Sequence, residues 1–215
     1  MVILAGMLIL GVAAVRAELP VRLLFDFESG VQGWAPAAGL PANGELTRPD
    51  SGLDGSACLQ FGLNLPGEAG LAVKIGDNWQ AYQSLLIDLS VSDSAPADLE
   101  FLAYLKDKEW LWYQSRPRRL EPGARVTIGL GLSGLSLAWS PERHKRPWNF
   151  YSTERINELG LKFLSRQPGR AWVRIDNIRL DPGLFVTFEP GRAASGRTSI
   201  PAAVFNLGDN GLTNP

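Results

Sequence analysis

Cysteine and histidine are nearly missing from this chain: Cys58 and His144 are the only ones. A single cysteine excludes an internal disulfide, so another device must hold the ends of the fold in an oxidising compartment. Cys58 itself lies in an apolar stretch between Ala57 and Leu59 and reads as a small core residue. A single histidine excludes a histidine-rich zinc cluster, and His144, set among Arg143, Lys145 and Arg146, has no orienting carboxylate beside it for a serine-type triad. Excess charge is missing too: 21 Lys and Arg against 22 Asp and Glu leave −1, which excludes the broad cationic surface that nucleic acid requires. There is no GxSxG elbow, and the glycines of GLGLSG at 129–134 lie in a β-like run with no helix after it, unlike a dinucleotide fingerprint.

Long apolar runs are confined to the start. Residues 1–15 carry no charge and are followed by Arg16, Ala17 and Glu18. That run is too short to span a bilayer. With Val15 and Ala17 at the positions that signal peptidase reads, 1–17 is expected to be a signal peptide, which makes the mature chain secreted, periplasmic or cell-surface, with no transmembrane span. Residues 18–183 then form one domain. From Pro182 onward Gly, Pro, Ser and Asn dominate, so 184–215 is expected to be a tail, a linker or the truncated start of a second module. LFVTFEPG at 184–191 faintly echoes LLFDFESG at 23–30.

Helical periodicity is scarce as well. Short runs rich in Val, Ile, Phe and Trp alternate with Gly, Pro, Asn and Asp clusters, the pattern of an all-β sandwich or barrel. Strands are expected at 21–27, 57–62, 70–75, 84–91, 99–106, 110–114, 125–130, 158–164 and 172–180. A single helical turn is expected near 153–158, capped by Ser152 or Thr153. In the first strand Val21, Leu23, Phe25 and Phe27 share one face, the core face, and Glu28 falls at its end. In WVRIDNIRL, Val173 and Ile175 have one parity, Ile178 and Leu180 the other. The phase breaks at Asp176 and Asn177, which predicts a bulge there or a strand covered on both faces.

The layout of FDFESGVQGW, GLDGSACLQF, EWLWYQS with LEPGARVTIGL, INELGLKF and VRIDNIRL resembles the calcium-containing β-jelly-roll carbohydrate-binding modules related to galactose-binding-like domains. The resemblance spans about 18–181. It implies a jelly-roll β-sandwich of two antiparallel sheets that binds a polysaccharide or glycan without cleaving it, carried beside a catalytic domain in a longer product. It also implies a structural Ca2+ held by Glu28, Asp176 and the vicinity of Ser56, clamping the first strand to the last. A hard cation needs six to eight oxygens, so two carboxylates completed by carbonyls and water are chemically sensible. Residue by residue, Glu28 and Asp176 can equally cap turns or pair with Arg22 and Arg174.

Seven tryptophans supply the candidates for a sugar platform. Trp34, Trp79 and Trp172 read as structural. Alternation in EWLWYQ puts Trp110 and Trp112 on one face, with Gln114, Arg116 and Lys106 as polar neighbours able to bond hydroxyls. Trp139, Trp148 and Tyr151 lie in or beside the long loop SLAWSPERHKRPWNFYS, a second candidate edge. The same aromatics would serve a β-sandwich that binds protein partners in the cell envelope. Asp107, Glu109 and Glu121 provide the carboxylates for a third reading, a small glycosidase, although all three sit at expected turns where solvated acids are the default.

Overall fold

The computed structural model describes residues 19–40, 44–52 and 55–183. The expected signal peptide and the 184–215 segment lie outside the described residues. Within them the fold is all-β: β1 Arg22–Phe25, β2 Ala35–Pro36, β3 Gly44–Thr47, β4 Leu59–Asp77, β5 Ser84–Val91, β6 Glu100–Lys106, β7 Trp112–Ser115, β8 Arg118–Arg119, β9 Arg125–Gly131, β10 Trp139–Pro141 and β11 Ile156–Asp181. No helix among the described residues is long and apolar enough to cross a membrane. The helical turn is a 3-10 turn at Phe150–Thr153, earlier than 153–158. Its cap is Asn149, whose side chain accepts from the Tyr151 N–H while Ser152 returns a bond to the Asn149 N–H.

β4 and β11 organise the sandwich. At 19 and 26 residues they are far longer than single-layer strands, and they pair antiparallel along the whole of β4, from Ile156 opposite Asp77 to Ile175 opposite Leu59. One layer runs β10-β7-β6-β11-β4-β2; the other is built on the opposite halves of the same two strands, with β5 and β9 beside β11 and β3 beside β4. The ladder therefore passes through both layers, and the two sheets expected from the sequence are one hydrogen-bonded eleven-stranded sheet folded over on itself. The fold-over coincides with a register break between Ser165 and Gly169, opposite Gly67 with φ +128°. Gly67 can hold that backbone because it has no Cβ.

Between the layers lies one apolar cluster. Phe163 meets Phe101 at 5.6 Å and Phe61, from the other half of β4, at 6.2 Å. Cys58 is fully buried in the interior. Trp34 and Trp79 are buried too, and Trp172 is half-buried under the Arg174 guanidinium at 4.5 Å.

The bulge predicted from the phase break is present. Register shifts between Asp176 and Arg179, Asn177 takes φ +45°, and Val173, Ile175, Ile178 and Leu180 all reach the same core. Beyond it, β1 lies along β11 at 178–180. The alternation expected for the first strand is corrected. A register shift between Leu23 and Phe25 leaves Val21 and Leu23 half-exposed and turns Leu24 toward the core, while Phe27 is fully buried at φ +60°.

Candidate functional site

Period-two alternation separates the faces of β4, β6, β7 and β11. Phe101, Ala103, Leu105, Tyr113, Leu159, Leu161, Phe163, Leu71 and Val73 fill the core, so their sequence neighbours face outward. The register aligns these neighbours in rows. Trp112 stands opposite Lys106, Lys106 opposite Glu158, and Glu158 opposite Lys74. In the next row Gln114 stands opposite Tyr104, then Gly160, then Ala72.

Tyr104 has room to lie flat because its neighbour is glycine: a Cβ on Gly160 would come within 2.0 Å of the Tyr104 ring. Trp112 stacks on Tyr104 with ring centroids 4.0 Å apart and planes inclined by 23°. The Tyr104 hydroxyl donates to Glu158 Oε1 at 3.1 Å, and Lys106 Nζ reaches the same oxygen at 2.7 Å. Burial, followed by the nearby charge of Glu158, pushes the Tyr104 phenol above its ordinary range. Lys106 Nζ also lies 4.8 Å from the centre of the Trp112 ring and 6.0 Å from that of Trp110. Lys162 pairs with Glu68, and burial holds its ammonium below the usual lysine range.

Two open cavities lie on this face and both reach Ala38. One, of about 420 Å³, is lined by residues including Phe25, Ala72, Lys74, Lys106 and Glu158. The other, of about 380 Å³, is lined by residues including Leu40, Glu68, Trp112, Gln114, Glu142 and Lys162.

Of the sequence candidates, Trp112 and Gln114 stand on this face. Trp110 does not share the strand with them. It occupies the turn before β7, at φ +64°, more than half exposed, because Asp107 closes that turn by accepting from the Glu109 and Leu111 N–H groups. Arg116 is exposed just past β7 and lines neither cavity. Trp139 and Trp148 are corrected from binding edge to core: they stack at 5.3 Å, are nearly fully buried, and their indole N–H groups donate to the Gly131 and Ser133 carbonyls. Tyr151 is exposed on the 3-10 turn beside Phe150, again outside both cavities. Tyr104, Glu158, Lys162 and Glu68 were missed. The sequence signal for Tyr104 was its shared parity with Lys106 in FLAYLK.

The glycosidase carboxylates are engaged elsewhere. Buried Asp107 organises its turn, Glu109 pairs with Arg146, and Glu121 pairs with Arg119 at 3.4 Å.

The expected metal residues gather around Gly52 and Ser56–Ala57. Glu28 Oε1 accepts from the Ala57 N–H at 2.9 Å. Asp176 is fully buried and accepts from the Asn177 N–H at 2.8 Å. Beside Gly52 is a cradle that a Cβ would fill: Ser56 O, Asp176 Oδ2 and Ala57 O lie 2.8, 2.9 and 3.1 Å from that point. The converging atoms are all oxygens, the donor type a hard cation takes, with Ser56 O already accepting the Gly52 N–H at 2.5 Å; the described residues contain no cluster of three acidic, His or Cys side chains. Arg48 holds the strand end beneath, donating to Phe27 O at 2.6 Å, Glu28 O at 2.7 Å and Asp50 Oδ1 at 2.9 Å. Arg174 holds the loop from the far side through Ser51 O at 2.7 Å.

No family model and no curated protein matches the chain. Solved structures do. A family 11 carbohydrate-binding module of a cellulosomal cellulase from Clostridium thermocellum superposes with a TM-score of 0.56 at 15% identity, covering 79% of this chain and 99% of that one. The chain has the β-sandwich fold of carbohydrate-binding modules. A family 11 module from the same organism, in complex with a β-1,3-1,4-mixed-linked tetrasaccharide, gives a TM-score of 0.53 at 16% identity over 75% of this chain and 95% of that one. An exo-β-agarase gives 0.55 at 17% identity, and there the match covers 76% of this chain but 26% of the agarase.

Proposed function

We propose that this protein is an exported, noncatalytic module that binds an uncharged polysaccharide across the Trp112 face, with a structural calcium held by Glu28, Asp176 and the carbonyls near Ser56. The observation that carries the reading is the half-buried Trp112 ring, backed by the buried Tyr104 ring on which it stacks and lining one of the two open cavities. Aromatic faces pack against the C–H faces of sugar rings, and Gln114, Lys106 and Glu158 supply bonds to hydroxyls around it. Charge on the face is largely self-neutralised: Lys106 pairs with Glu158, Lys162 with Glu68, and Arg143 with Glu142. An acidic sugar would have to compete with carboxylates already seated there, so a neutral chain is the better partner. Calcium bound only to the native state would clamp β1 to β11 in place of the excluded disulfide.

The test is titration calorimetry of the purified chain with soluble β-1,3-1,4-glucan, agarose oligosaccharides and polygalacturonate. Binding to a neutral polymer that persists in about 0.5 M salt and is lost in Trp112→Ala supports the proposal; binding to polygalacturonate alone, or to none, sinks it. A second reading, docking to a protein partner, has its own observation: Leu135, Leu137, Phe150 and Tyr151 are all more than half exposed.

A further inference from the structure

Trp110 is more than half exposed, and its backbone sits at φ +64°. A bulky side chain in the left-handed region is a conformational outlier, and glycine or asparagine takes up such a backbone more readily. Phe27 has nearly the same backbone at φ +60°, but its ring is fully buried in the core, which offsets the strain. Trp110 has no such compensation, since most of it stays in contact with water. The turn around it is nonetheless rigid. Buried Asp107 accepts from the Glu109 N–H at 2.9 Å and the Leu111 N–H at 3.0 Å. Its carbonyl accepts from the Trp110 N–H at 3.0 Å and from Asn157 Nδ2 at 2.8 Å, and its own N–H donates to the Leu111 carbonyl at 3.2 Å. A fixed scaffold thus presents an aromatic ring to solvent at a conformational cost, the situation in which a side chain is held for what it will meet.

We propose that Trp110 is a second aromatic platform, on which a further ring of the glycan held at Trp112 packs, so that the ligand is a neutral chain of several sugar residues and not a single sugar; this rests on the reading of the Trp112 face given above. Lys106 joins the two rings. Its Nζ lies 4.8 Å from the centre of the Trp112 ring and 6.0 Å from that of Trp110, so the rings cannot be farther apart than those two distances together. Glu158 fixes that ammonium at 2.7 Å, and a lysine carries three donors, so Lys106 can still give hydrogens to sugar oxygens lying between the platforms. Lys106 lines one open cavity and Trp112 the other, which makes the strip from Trp112 to Trp110 continuous with both. The charges on the turn itself are paired, Lys108 with Glu154 and Glu109 with Arg146. What the turn offers a partner is therefore the indole face, which packs against the C–H face of a sugar ring.

The experiment is calorimetric titration of the full chain and of Trp110→Asn with β-1,3-1,4-glucan and agarose oligosaccharides graded from disaccharide to hexasaccharide, beside thermal melts and NMR of the tryptophan indole N–H resonances. In the parent, affinity should rise with length, and the Trp110 indole should shift only with the longer oligosaccharides. Trp110→Asn, which suits the left-handed backbone, should melt like the parent. It should shrink the affinity gained with length by about threefold to tenfold, the worth of one aromatic contact. Trp112→Ala should weaken every length that binds. A hexasaccharide bound equally by Trp110→Asn and the parent, or a Trp110 indole that shifts with no oligosaccharide that binds, overturns the proposal and leaves the Trp112 reading standing. A melt lowered by many degrees with the length dependence kept also overturns it, since the ring would then serve packing. If no oligosaccharide of either series binds the parent, both readings fall.

Discussion

Trp112 rests on Tyr104 at 4.0 Å, and Tyr104 lies flat only because Gly160 offers no Cβ. The platform is therefore three residues deep, drawn from β7, β6 and β11. Replacing Gly160 by alanine forces the Tyr104 ring to move. Gly160→Ala should lose about 1–3 kcal/mol in denaturant unfolding, the usual cost of overpacking, and should weaken glucan binding without touching the ligand. An unchanged midpoint and Kd would mean that the stack is not supported in this way.

Trp139 and Trp148 call for the opposite pattern from Trp112. Their removal opens the core, so Trp139→Ala and Trp148→Ala should each cost about 3–5 kcal/mol of stability. Trp112→Ala should cost about 1 kcal/mol, the worth of an aromatic pair, yet raise Kd at least about tenfold. Circular dichroism melts beside calorimetry separate these outcomes. Selective loss of binding in a fully stable Trp148→Ala would return that residue to the site.

The calcium proposal predicts a chelator-sensitive melting temperature. At free calcium about a hundredfold above Kd, the ion adds about 3 kcal/mol. Asp176→Asn should abolish the difference between calcium and chelator. Arg48→Met should lower stability in both conditions, since it removes the donors to the Phe27 and Glu28 carbonyls. A melting temperature indifferent to chelator, with no calcium by elemental analysis, rules the ion out.

Alkaline pH should destabilise the fold through Tyr104. Its phenol is raised above the ordinary tyrosine value of 10.0 in the native state, so the native state keeps a proton that the unfolded chain releases. The corresponding stability is complete below pH 10.0 and is lost as pH rises above it. Lys162, depressed by burial, contributes with the opposite sign. Tyr104→Phe should flatten the fall in melting temperature above about pH 10 relative to the parent; an identical fall in both proteins would place the effect elsewhere.

Much of this was legible beforehand. Strands β5, β6 and β9 fall within a residue of their expected bounds, because each is a short apolar run punctuated by turn residues. The bulge at Asp176 and Asn177 was visible as a change of parity, since two apolar pairs of opposite phase can share one core only if the strand slips by a residue. The gathering of Glu28, Ser56 and Asp176 followed from resemblance to known modules, and no local pattern of these residues required it. The merging of the pairs 57–62 with 70–75 and 158–164 with 172–180 into two long strands was not legible. Gly and Pro in the middle looked like turns, but the partner strand's matching break at Gly67 and Ser165 lets pairing continue across the bend.

By itself, then, the sequence determined the all-β class, the spacing of most strands, and the classes of chemistry that one histidine, one cysteine and a balanced charge leave open. The tertiary structure decided which aromatics are presented. Alternation says that Trp112 and Tyr113 face opposite ways, and only packing against Trp148 shows that Tyr113 is the inner one. It also removed Trp110 to a turn and Trp139 and Trp148 to the interior, where their indole N–H groups find the Gly131 and Ser133 carbonyls. Parity is a local property of a strand; inside and outside are set by what lies across the sheet, which the strand's own residues do not encode.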